Sequence, residues 1–197
     1  MRNFSDLLDG YRRFRSQQWA TQRDRWDELK EGQSPKVMII ACSDSRVDPT
    51  QIFDTNPGET FVVRNVAALV PPFETTPGHH GVSSALEFAV QFLNVEEVVV
   101  MGHGSCGGCA AALSEQMKDM PPGKGGFIAD WITLLDDARA KVVHDHGDLS
   151  SRAAQLAMEH EGKEADGSIR LIGAWFAIAE GRLHVLDDET DQFSPVE

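Results

Sequence analysis

Two short, uninterrupted apolar runs constrain the fold of this chain more than any other feature of its sequence. Val37–Cys42 and residues 98–101 each have the length of a β-strand and contain no polar residue. A strand without polar alternation is covered on both faces, which is typical of a parallel sheet packed between helices. Helical patterns separate the apolar runs along the chain. The sequence therefore predicts an α/β fold with a central, mainly parallel β-sheet flanked by helices.

The remaining elements follow from the same patterns. Further strands are predicted at residues 61–63, 169–176 and 182–186. Helices are predicted at residues 84–93, 110–117, 130–146 and 150–161, together with a short one that reaches Phe53. Asp48 before Pro49 is typical of the N-cap of that short helix, and Ser84 with Glu87 matches a capping box. The acidic residues 187–191 are expected to form a solvated terminus.

The first 31 residues differ from the rest of the chain. Apolar and aromatic side chains recur there every three or four residues among many charges: Phe4, Leu7, Leu8, Tyr11, Phe14, Trp19, Trp26 and Leu29. This spacing predicts one or two amphipathic helices, which need a surface to cover. Because no linker or repeat interrupts the 197 residues, we expect one domain over residues 1–197. It would comprise a helical arm, residues 1–31, and an α/β core, residues 35–197.

Charge and hydropathy exclude several classes of function. The net charge of −13 opposes binding to nucleic acid or to an anionic membrane. The longest apolar runs fall far short of the ~20 residues of a spanning helix, and the amino terminus has no signal-peptide core. We therefore expect a soluble, cytoplasmic protein. Its three cysteines suit metal or redox chemistry better than a disulfide framework.

Chemically active residues follow the two apolar runs. Cys42 ends the first and precedes Asp44 and Arg46, while His103 and Cys106 follow the second. Ligands of parallel sheets bind at the carboxyl ends of strands, so these side chains are expected to meet. Two thiolates and an imidazole suit Zn²⁺, and three protein ligands leave a fourth position for water. Gly104, Gly107 and Gly108 are expected to let the backbone approach the metal.

Less specific interpretations stay open at this point. The cysteines and His103 are also compatible with a buried structural cluster. Cys106 and Cys109 have the spacing of a redox C-x-x-C motif, although Cys109 is more typical of a small buried side chain. Asp44 and Arg46 are compatible with a purely structural ion pair. His79 and His80, beside glycine in a loop, are candidates for proton relay.

Four segments resemble the β-class carbonic anhydrases. They are ACSDSRVDP at residues 41–49, PGETFVVRNVA at 57–67, GHGSCGGC at 102–109 and GAWF at 173–176. The resemblance implies a carbonic anhydrase, a lyase with zinc bound by Cys42, His103 and Cys106, that hydrates carbon dioxide reversibly to bicarbonate and a proton. It also implies a homodimer, with higher homo-oligomers open, whose N-terminal helices pack on the partner.

Elementary chemistry gives Asp44 and Arg46 roles in such a site. Two thiolates cancel the charge of zinc, so its bound water is acidified less than at a tris-histidine site. Asp44 can accept a hydrogen bond from zinc-bound hydroxide and direct its attack on carbon dioxide. Arg46 can hold Asp44 away from the metal through a bidentate pair. Without that pair, Asp44 becomes a fourth zinc ligand and closes the site.

The resemblance also assigns a subgroup and a substrate pocket. Family members that are inhibited by bicarbonate carry a Trp, an Arg and a Tyr at a non-catalytic bicarbonate site. The matching positions here hold Ile39, Arg64 and Phe176. The plant-like subgroup is therefore favoured, and Gln33 matches its bicarbonate-binding glutamine. Pocket residues implied for the substrate are Gln33, Phe61, Val66, Phe88 and Gly104. The plant enzymes' Tyr and His proton shuttle aligns with Phe88 and Phe92.

Two other functions remain compatible with these residues. Zinc-activated water also attacks carbonyl sulfide and carbon disulfide, which are isoelectronic with carbon dioxide. A catalytically silent zinc protein or a redox-responsive binding protein is the second alternative. The pair of Asp44 and Arg46 favours catalysis, since a structural zinc needs no orienting carboxylate.

Overall fold

Residues 3–147 and 170–197 are the part of the chain that this computed structural model describes. The chain forms two units, Met1–Ser34 and Pro35–Glu197. The helix predicted over residues 150–161 lies outside the described residues. Within the described residues, no helix is both long and apolar enough to cross a lipid bilayer.

The first unit is helical over most of its described length. Its helices are α1 (Phe4–Ser16), α2 (Gln18–Thr21) and α3 (Arg23–Leu29). One or two helices were predicted, but the backbone leaves ideal helical geometry at Gln17 and Gln22. The short middle helix carries Trp19, and the guanidinium groups of Arg15 and Arg23 lie 3.6 and 4.3 Å from the centroid of its ring. These cation–π contacts stabilise the broken arrangement.

The second unit is built on one sheet. Its strands among the described residues are β1 (Val37–Cys42), β2 (Thr60–Asn65), β3 (Glu97–His103), β4 (Arg170–Ala177), β5 (Arg182–Asp187) and β6 (Gln192–Pro195). They lie in the order β2-β1-β3-β4-β5-β6. The first four strands of that order are parallel, and β5 and β6 are antiparallel to their neighbours. The predicted mainly parallel α/β sheet is confirmed.

Strand β1 lies in the middle of the core and is covered on both faces. Met38 and Ile40 point to one face, and Ile39 and Ala41 to the other; none is more than 2% exposed. Each large apolar side chain buried in this way contributes about 1.5–3 kcal/mol. The double burial explains why the sequence of β1 shows no polar alternation.

The helices of the second unit begin and end largely where short polar side chains and glycines allow. They are α4 (Pro49–Ile52), α5 (Gly81–Glu87), α6 (Gly107–Ser114), α7 (Gly126–Ile132) and α8 (Asp136–His146). Asp48 caps α4 as predicted, since its side chain accepts a hydrogen bond from the Thr50 N–H. One 3₁₀ turn, Val66–Ala68, follows β2, and a π turn, Phe88–Phe92, follows α5.

Two helix predictions were wrong in detail. Ser84 is not a cap, because α5 already starts at Gly81 and the Ser84 hydroxyl donates to the His80 carbonyl at 2.7 Å. A hydroxyl can satisfy a carbonyl one turn back inside a helix, so the Ser-x-x-Glu pattern does not define a start. The helix predicted over residues 130–146 is split by a 3₁₀ turn, Thr133–Leu135, which brings Leu135 into the core.

The acidic segment, residues 187–191, is exposed as predicted, but it forms a turn between β5 and β6 rather than a terminus. The Asp187 carboxylate accepts hydrogen bonds from the N–H groups of Glu189 and Thr190 and from the Thr190 hydroxyl. The chain then returns as β6, an edge strand that was not predicted. Its sequence, QFSP, contains a single apolar residue and a proline, so its pattern does not indicate a strand.

Candidate metal centre and active site

The carboxyl ends of β1 and β3 lie side by side and carry the candidate metal ligands. Cys42 is the last residue of β1, His103 is the last of β3, and Cys106 directly precedes α6. Their two sulfur atoms and one ring nitrogen all lie within 4.8 Å of one another, and all three residues are buried. The sequence-predicted ligand cluster is therefore present.

Three observations test whether these residues fit zinc. His103 Nδ1 is 3.0 Å from the Gly104 carbonyl, a contact that places the proton on Nδ1 and leaves Nε2 as a lone-pair donor. Nε2 itself is buried and has no hydrogen-bond partner among the described residues. Sulfur and imidazole donors at this spacing suit tetrahedral zinc. The cluster is consistent with a zinc site that has three protein ligands.

The thiols need a cation to ionise. The adjacent Cys106 thiol and burial raise the pKa of Cys42 to about 12. In the same way, the Cys109 thiol and burial raise the pKa of Cys106 to about 11. Zinc at this position would supply the positive charge that favours both thiolates.

Asp44 and Arg46 form the predicted bidentate pair beside the metal ligands. Asp44 Oδ1 accepts hydrogen bonds from the Arg46 main-chain N–H and from Nε, both at 2.9 Å, and Oδ2 accepts one from Nη2 at 2.7 Å. These bonds hold the pKa of Asp44 well below its usual range. Asp44 Oδ2 lies 4.0 Å from His103 Nε2, which places the carboxylate next to the ligand cluster.

Arg46 also joins the two segments that carry the ligands. Its Nη2 donates to the Ser105 carbonyl at 3.0 Å, across the gap between the loop after β1 and the turn after β3. Ser105 presents that carbonyl from a left-handed backbone conformation, with φ of 58°. A non-glycine residue in this conformation is strained, and such strain is common at functional sites. Nothing in the sequence pattern indicates this contact.

The glycines of the turn differ in what surrounds them. A Cβ on Gly108 would lie 2.9 Å from the Ala67 side chain and 3.0 Å from Val66, so glycine is needed there for packing against the 3₁₀ turn. A Cβ on Gly107 would meet nothing within 4 Å. The Gly104 N–H donates to the Phe176 carbonyl at 3.0 Å. Packing against the 3₁₀ turn is thus a further reason for glycine at position 108, and the close approach of the turn backbone to the metal stays a prediction.

The expected pocket residues come from several parts of the chain. Phe61 and Phe88 lie together, with ring centroids 6.0 Å apart, and Phe88 is 42% exposed. Val66, at 38% exposure, borders α6 near Gly108. Gln33 belongs to the other unit of the chain. Binding of substrate by Gln33, Phe61, Val66, Phe88 and Gly104 stays a prediction.

Cys109 and His80 each have local partners. Cys109 is buried, as its place in α6 predicted. His80 Nε2 lies 2.8 Å from the Thr76 carbonyl, and its Nδ1 lies 3.5 Å from Glu74. Proton relay by His79 or His80 stays a prediction.

Sequence reasoning missed the structural role of Arg64. It assigned this residue only to the position of the inhibitory trio, yet the side chain binds the loop that leaves β1. A signal was present in the sequence, because Arg64 is the charged residue of β2 and directly follows the apolar run of residues 61–63. The pairing of Arg64 with Ala41, one residue before a ligand, becomes visible only once the strand register is known.

The fold and the cluster together define an α/β protein with a Cys₂His metal centre at the carboxyl ends of parallel strands. A family model for carbonic anhydrase matches residues 37–163. The chain belongs to the carbonic anhydrase family, and within it to the β class.

Individual relatives agree with this assignment. The chain is 36% identical over 144 residues to β-carbonic anhydrase 3 of Arabidopsis thaliana, an alignment that covers 73% of this chain and 55% of the relative. It is 37% identical over 142 residues to a carbonic anhydrase of Synechococcus elongatus, with coverage of 71% and 50%. The chain thus spans about half the length of the curated relatives it matches.

Solved structures match over almost the whole chain. The β-carbonic anhydrase CcaA superposes with a TM-score of 0.86 at 25% identity, covering 98% of this chain and 92% of that one. One of two tetrameric β-carbonic anhydrases from the ascomycete Sordaria macrospora matches with a TM-score of 0.75 at 26% identity, covering 93% and 96%. The fold of the described residues is therefore that of the β class.

Proposed function

We propose that this chain is a zinc-dependent carbonic anhydrase, which hydrates carbon dioxide reversibly to bicarbonate and a proton. The observation that carries the proposal is the Cys42, His103 and Cys106 cluster with the Asp44 carboxylate beside it, 4.0 Å from His103 Nε2. Family membership supports the same reaction. When bound, zinc supplies a Lewis acid that lowers the pKa of water at the open fourth position.

Asp44 orients the attacking water in this proposal. Its Oδ2 faces the ligand cluster and accepts a hydrogen bond from the water, which directs a lone pair of the water toward the carbon of carbon dioxide. Arg46 keeps both carboxylate oxygens engaged, so Asp44 stays ionised and does not ligate the metal. Loss of the pair would let Asp44 occupy the fourth position in a closed state.

An uncharged, apolar substrate needs a pocket of matching chemistry. The adjoining rings of Phe61 and Phe88 offer an apolar wall, and Val66 adds a partly exposed apolar side chain near α6. The amide of Gln33 would donate to bicarbonate, and the small Gly104 would leave room beside His103. These pocket assignments are part of the proposal.

A stopped-flow assay of carbon dioxide hydration on zinc-loaded protein tests the proposed function. We expect a rate well above the uncatalysed reaction, lost on chelation of the metal and restored by zinc. Release of sulfide from carbonyl sulfide and carbon disulfide is measured in parallel. Fast sulfide release without hydration of carbon dioxide would assign the site to those gases, and zinc binding without either reaction would make it structural.

We further propose that the chain belongs to the plant-like subgroup. Ile39 is 2% exposed inside the sheet and offers no indole N–H, and Phe176 has no hydroxyl for an anion. The Arg64 guanidinium is already bonded to the loop after β1. The place of the inhibitory trio therefore lacks two of its three donors.

We expect activity to rise with pH with an apparent pKa above the ~7 of tris-histidine zinc, because two thiolates offset the metal charge. Bicarbonate should inhibit without sigmoidal dependence, since the donors of the second anion site are absent. Initial rates across a pH series at several bicarbonate concentrations measure both properties. A steep, cooperative loss of activity at lower pH would assign the chain to the other subgroup.

The arm supports a homodimer. Phe4, Leu7, Leu8 and Tyr11 lie at helical spacing on α1 and are between 40% and 72% exposed in the single chain. An apolar stripe of this kind marks a protein contact. The similar β-carbonic anhydrase from Sordaria macrospora is tetrameric, which keeps higher homo-oligomers within the proposal. The arm, residues 1–31, and the core, residues 35–197, would then act as one functional domain, and the cytoplasmic location stays a prediction.

Deletion of residues 1–30 is expected to give aggregates or inactive protein, because the surface that the arm covers on the partner becomes exposed. Size-exclusion chromatography with light scattering and the hydration assay measure the outcome. As a control, Asp24→Ala should keep the oligomeric state. A well-behaved, active monomer from the truncated chain would contradict the proposed dimer.

A further inference from the structure

Arg64 lies on β2 directly beside the end of β1. Its main chain pairs with Ala41 in the parallel ladder, next to the ligand Cys42. The side chain is 27% exposed, so most of the guanidinium is withdrawn from water. A charge placed there needs partners, and the structure provides them from the loop that follows β1.

Most of the hydrogen bonds from Arg64 go to main-chain carbonyls, of Cys42 at the end of β1 and of the loop that follows it, where Nη2 also reaches the Val47 carbonyl at 3.5 Å. Nε donates to the Cys42 carbonyl at 2.9 Å, and Nη2 donates to the Asp44 carbonyl at 2.6 Å. Nη1 donates to Asp48 Oδ2 at 3.1 Å. Carbonyls of Cys42 and Asp44 are thus held by one rigid, planar group whose donors have fixed directions.

Asp44 is consequently held from both ends. Arg64 binds its main-chain carbonyl, whereas Arg46 binds its carboxylate. The direction of a side chain depends on the peptide that carries it as well as on its own partners. A rotation of the Asp44 peptide would move the carboxylate relative to His103 even with Arg46 in place.

We propose that Arg64 is a positioning residue that fixes the carbonyls of Cys42 and Asp44 and thereby sets where the Asp44 carboxylate lies at the metal centre. This inference rests on the proposed function for its kinetic consequences, but its geometric core concerns the loop alone. A lysine cannot reproduce the effect, since one ammonium on a flexible stem does not span two carbonyls and a carboxylate in a fixed plane.

Three variants separate this role from charge or general stability. Arg64→Lys keeps the positive charge and removes the planar guanidinium group. Asp48→Asn weakens the single side-chain contact of Arg64 and leaves its contacts to the carbonyls intact. Arg139→Lys is the matched control, because Arg139 is also largely buried, donates to the Leu113 carbonyl at 3.2 Å and pairs with Glu115 at 2.9 Å far along the chain.

The expected results differ between the variants. Arg64→Lys should retain about one metal per chain, lose at least about tenfold in kcat with little change in KM, and unfold no earlier than Arg139→Lys. Its cobalt-substituted form should have a visible spectrum altered from that of the unmutated protein, as Asp44 shifts relative to the metal. Asp48→Asn and Arg139→Lys should keep the unmutated spectrum and stay within about threefold in kcat.

A double-mutant cycle keeps the proposal testable if Arg64→Lys also lowers stability. In an Asp44→Asn background, Arg64→Lys should add little further loss of kcat, because its effect acts through the carboxylate. Fully additive losses would overturn the proposal, as would an unchanged cobalt spectrum together with near-normal turnover. If the unmutated protein hydrates no carbon dioxide, the proposed function fails, but the cobalt spectra still decide the role of Arg64.

Discussion

Arg46→Ala is expected to leave zinc in place while carbon dioxide turnover falls at least about a hundredfold. The alanine removes the two side-chain hydrogen bonds to the Asp44 carboxylate and the bond to the Ser105 carbonyl. The main-chain N–H of residue 46 still donates to Asp44. The freed carboxylate can then move to the metal centre, and because each 1.36 kcal/mol of barrier is tenfold in rate, a hundredfold loss corresponds to about 2.7 kcal/mol. Metal analysis and stopped-flow rates measure the two effects.

The cause of that loss is geometric rather than a change of protonation. Arg46 lowers the pKa of Asp44, so the carboxylate stays ionised even at pH values below the ordinary aspartate pKa. The ion pair is lost only when the pH falls through the lowered pKa. Without Arg46 the pKa of Asp44 returns toward the ordinary aspartate value, so Asp44 is still ionised at pH 7. A freed carboxylate beside His103 would then ligate the metal. Asp44→Asn should also be slow, but with an open fourth position, since an amide coordinates zinc poorly.

Arg170→Ala provides the matched control for this prediction. Arg170 pairs with Glu97 at 2.7 Å, at the amino ends of β4 and β3, and is exposed. An exposed ion pair at that end of the sheet contributes ~1 kcal/mol or less, so turnover should be unchanged. Near-normal turnover of Arg46→Ala would make its pair with Asp44 merely structural.

Replacing any one metal ligand is expected to abolish both zinc content and activity. Cys42→Ala, His103→Ala and Cys106→Ala each remove one of three protein donors from the cluster. Because each donor supplies one of only three permanent bonds, the remaining two should not retain zinc through dialysis. Metal analysis per chain, with the hydration assay, measures the result.

Cys109→Ala is the control for the ligand variants. Cys109 is as buried as the ligands and lies one helical turn after Cys106, but it is not part of the cluster. Its alanine variant should keep about one zinc per chain. Full zinc content in a variant of Cys42, His103 or Cys106 would remove that residue from the coordination shell.

The metal centre was predictable because its ligands follow strands that the sequence marks clearly. Cys42 and His103 end apolar runs that are buried on both faces, so parallel pairing alone brings them to one edge. The contact of Asp44 with Arg46 was predictable from their spacing, because side chains two residues apart in a loop are close enough for a long arginine to reach the carboxylate.

Other features depend on the path of loops, which a pattern of residue types does not define. The left-handed Ser105 and its bond to Arg46 have no counterpart in local sequence preference. The carbonyl contacts of Arg64 require both the strand register and the turn after Cys42. The predicted start of α5 was wrong because the Ser-x-x-Glu pattern fits a position inside a helix as well as a cap. Strand β6 was missed because its pairing with β5 outweighs its weak strand propensity.

The two segments that hold the cluster lie about 60 residues apart in the chain, which makes zinc a ligand of the folded state alone. An unfolded chain cannot bring Cys42 to His103 and Cys106 without closing that long loop. Free zinc above its dissociation constant therefore adds about 1.4 kcal/mol to the free energy of unfolding for each tenfold rise in its concentration. The supply of metal in the surroundings of the protein would then regulate how long the folded chain persists, in addition to how fast it turns over.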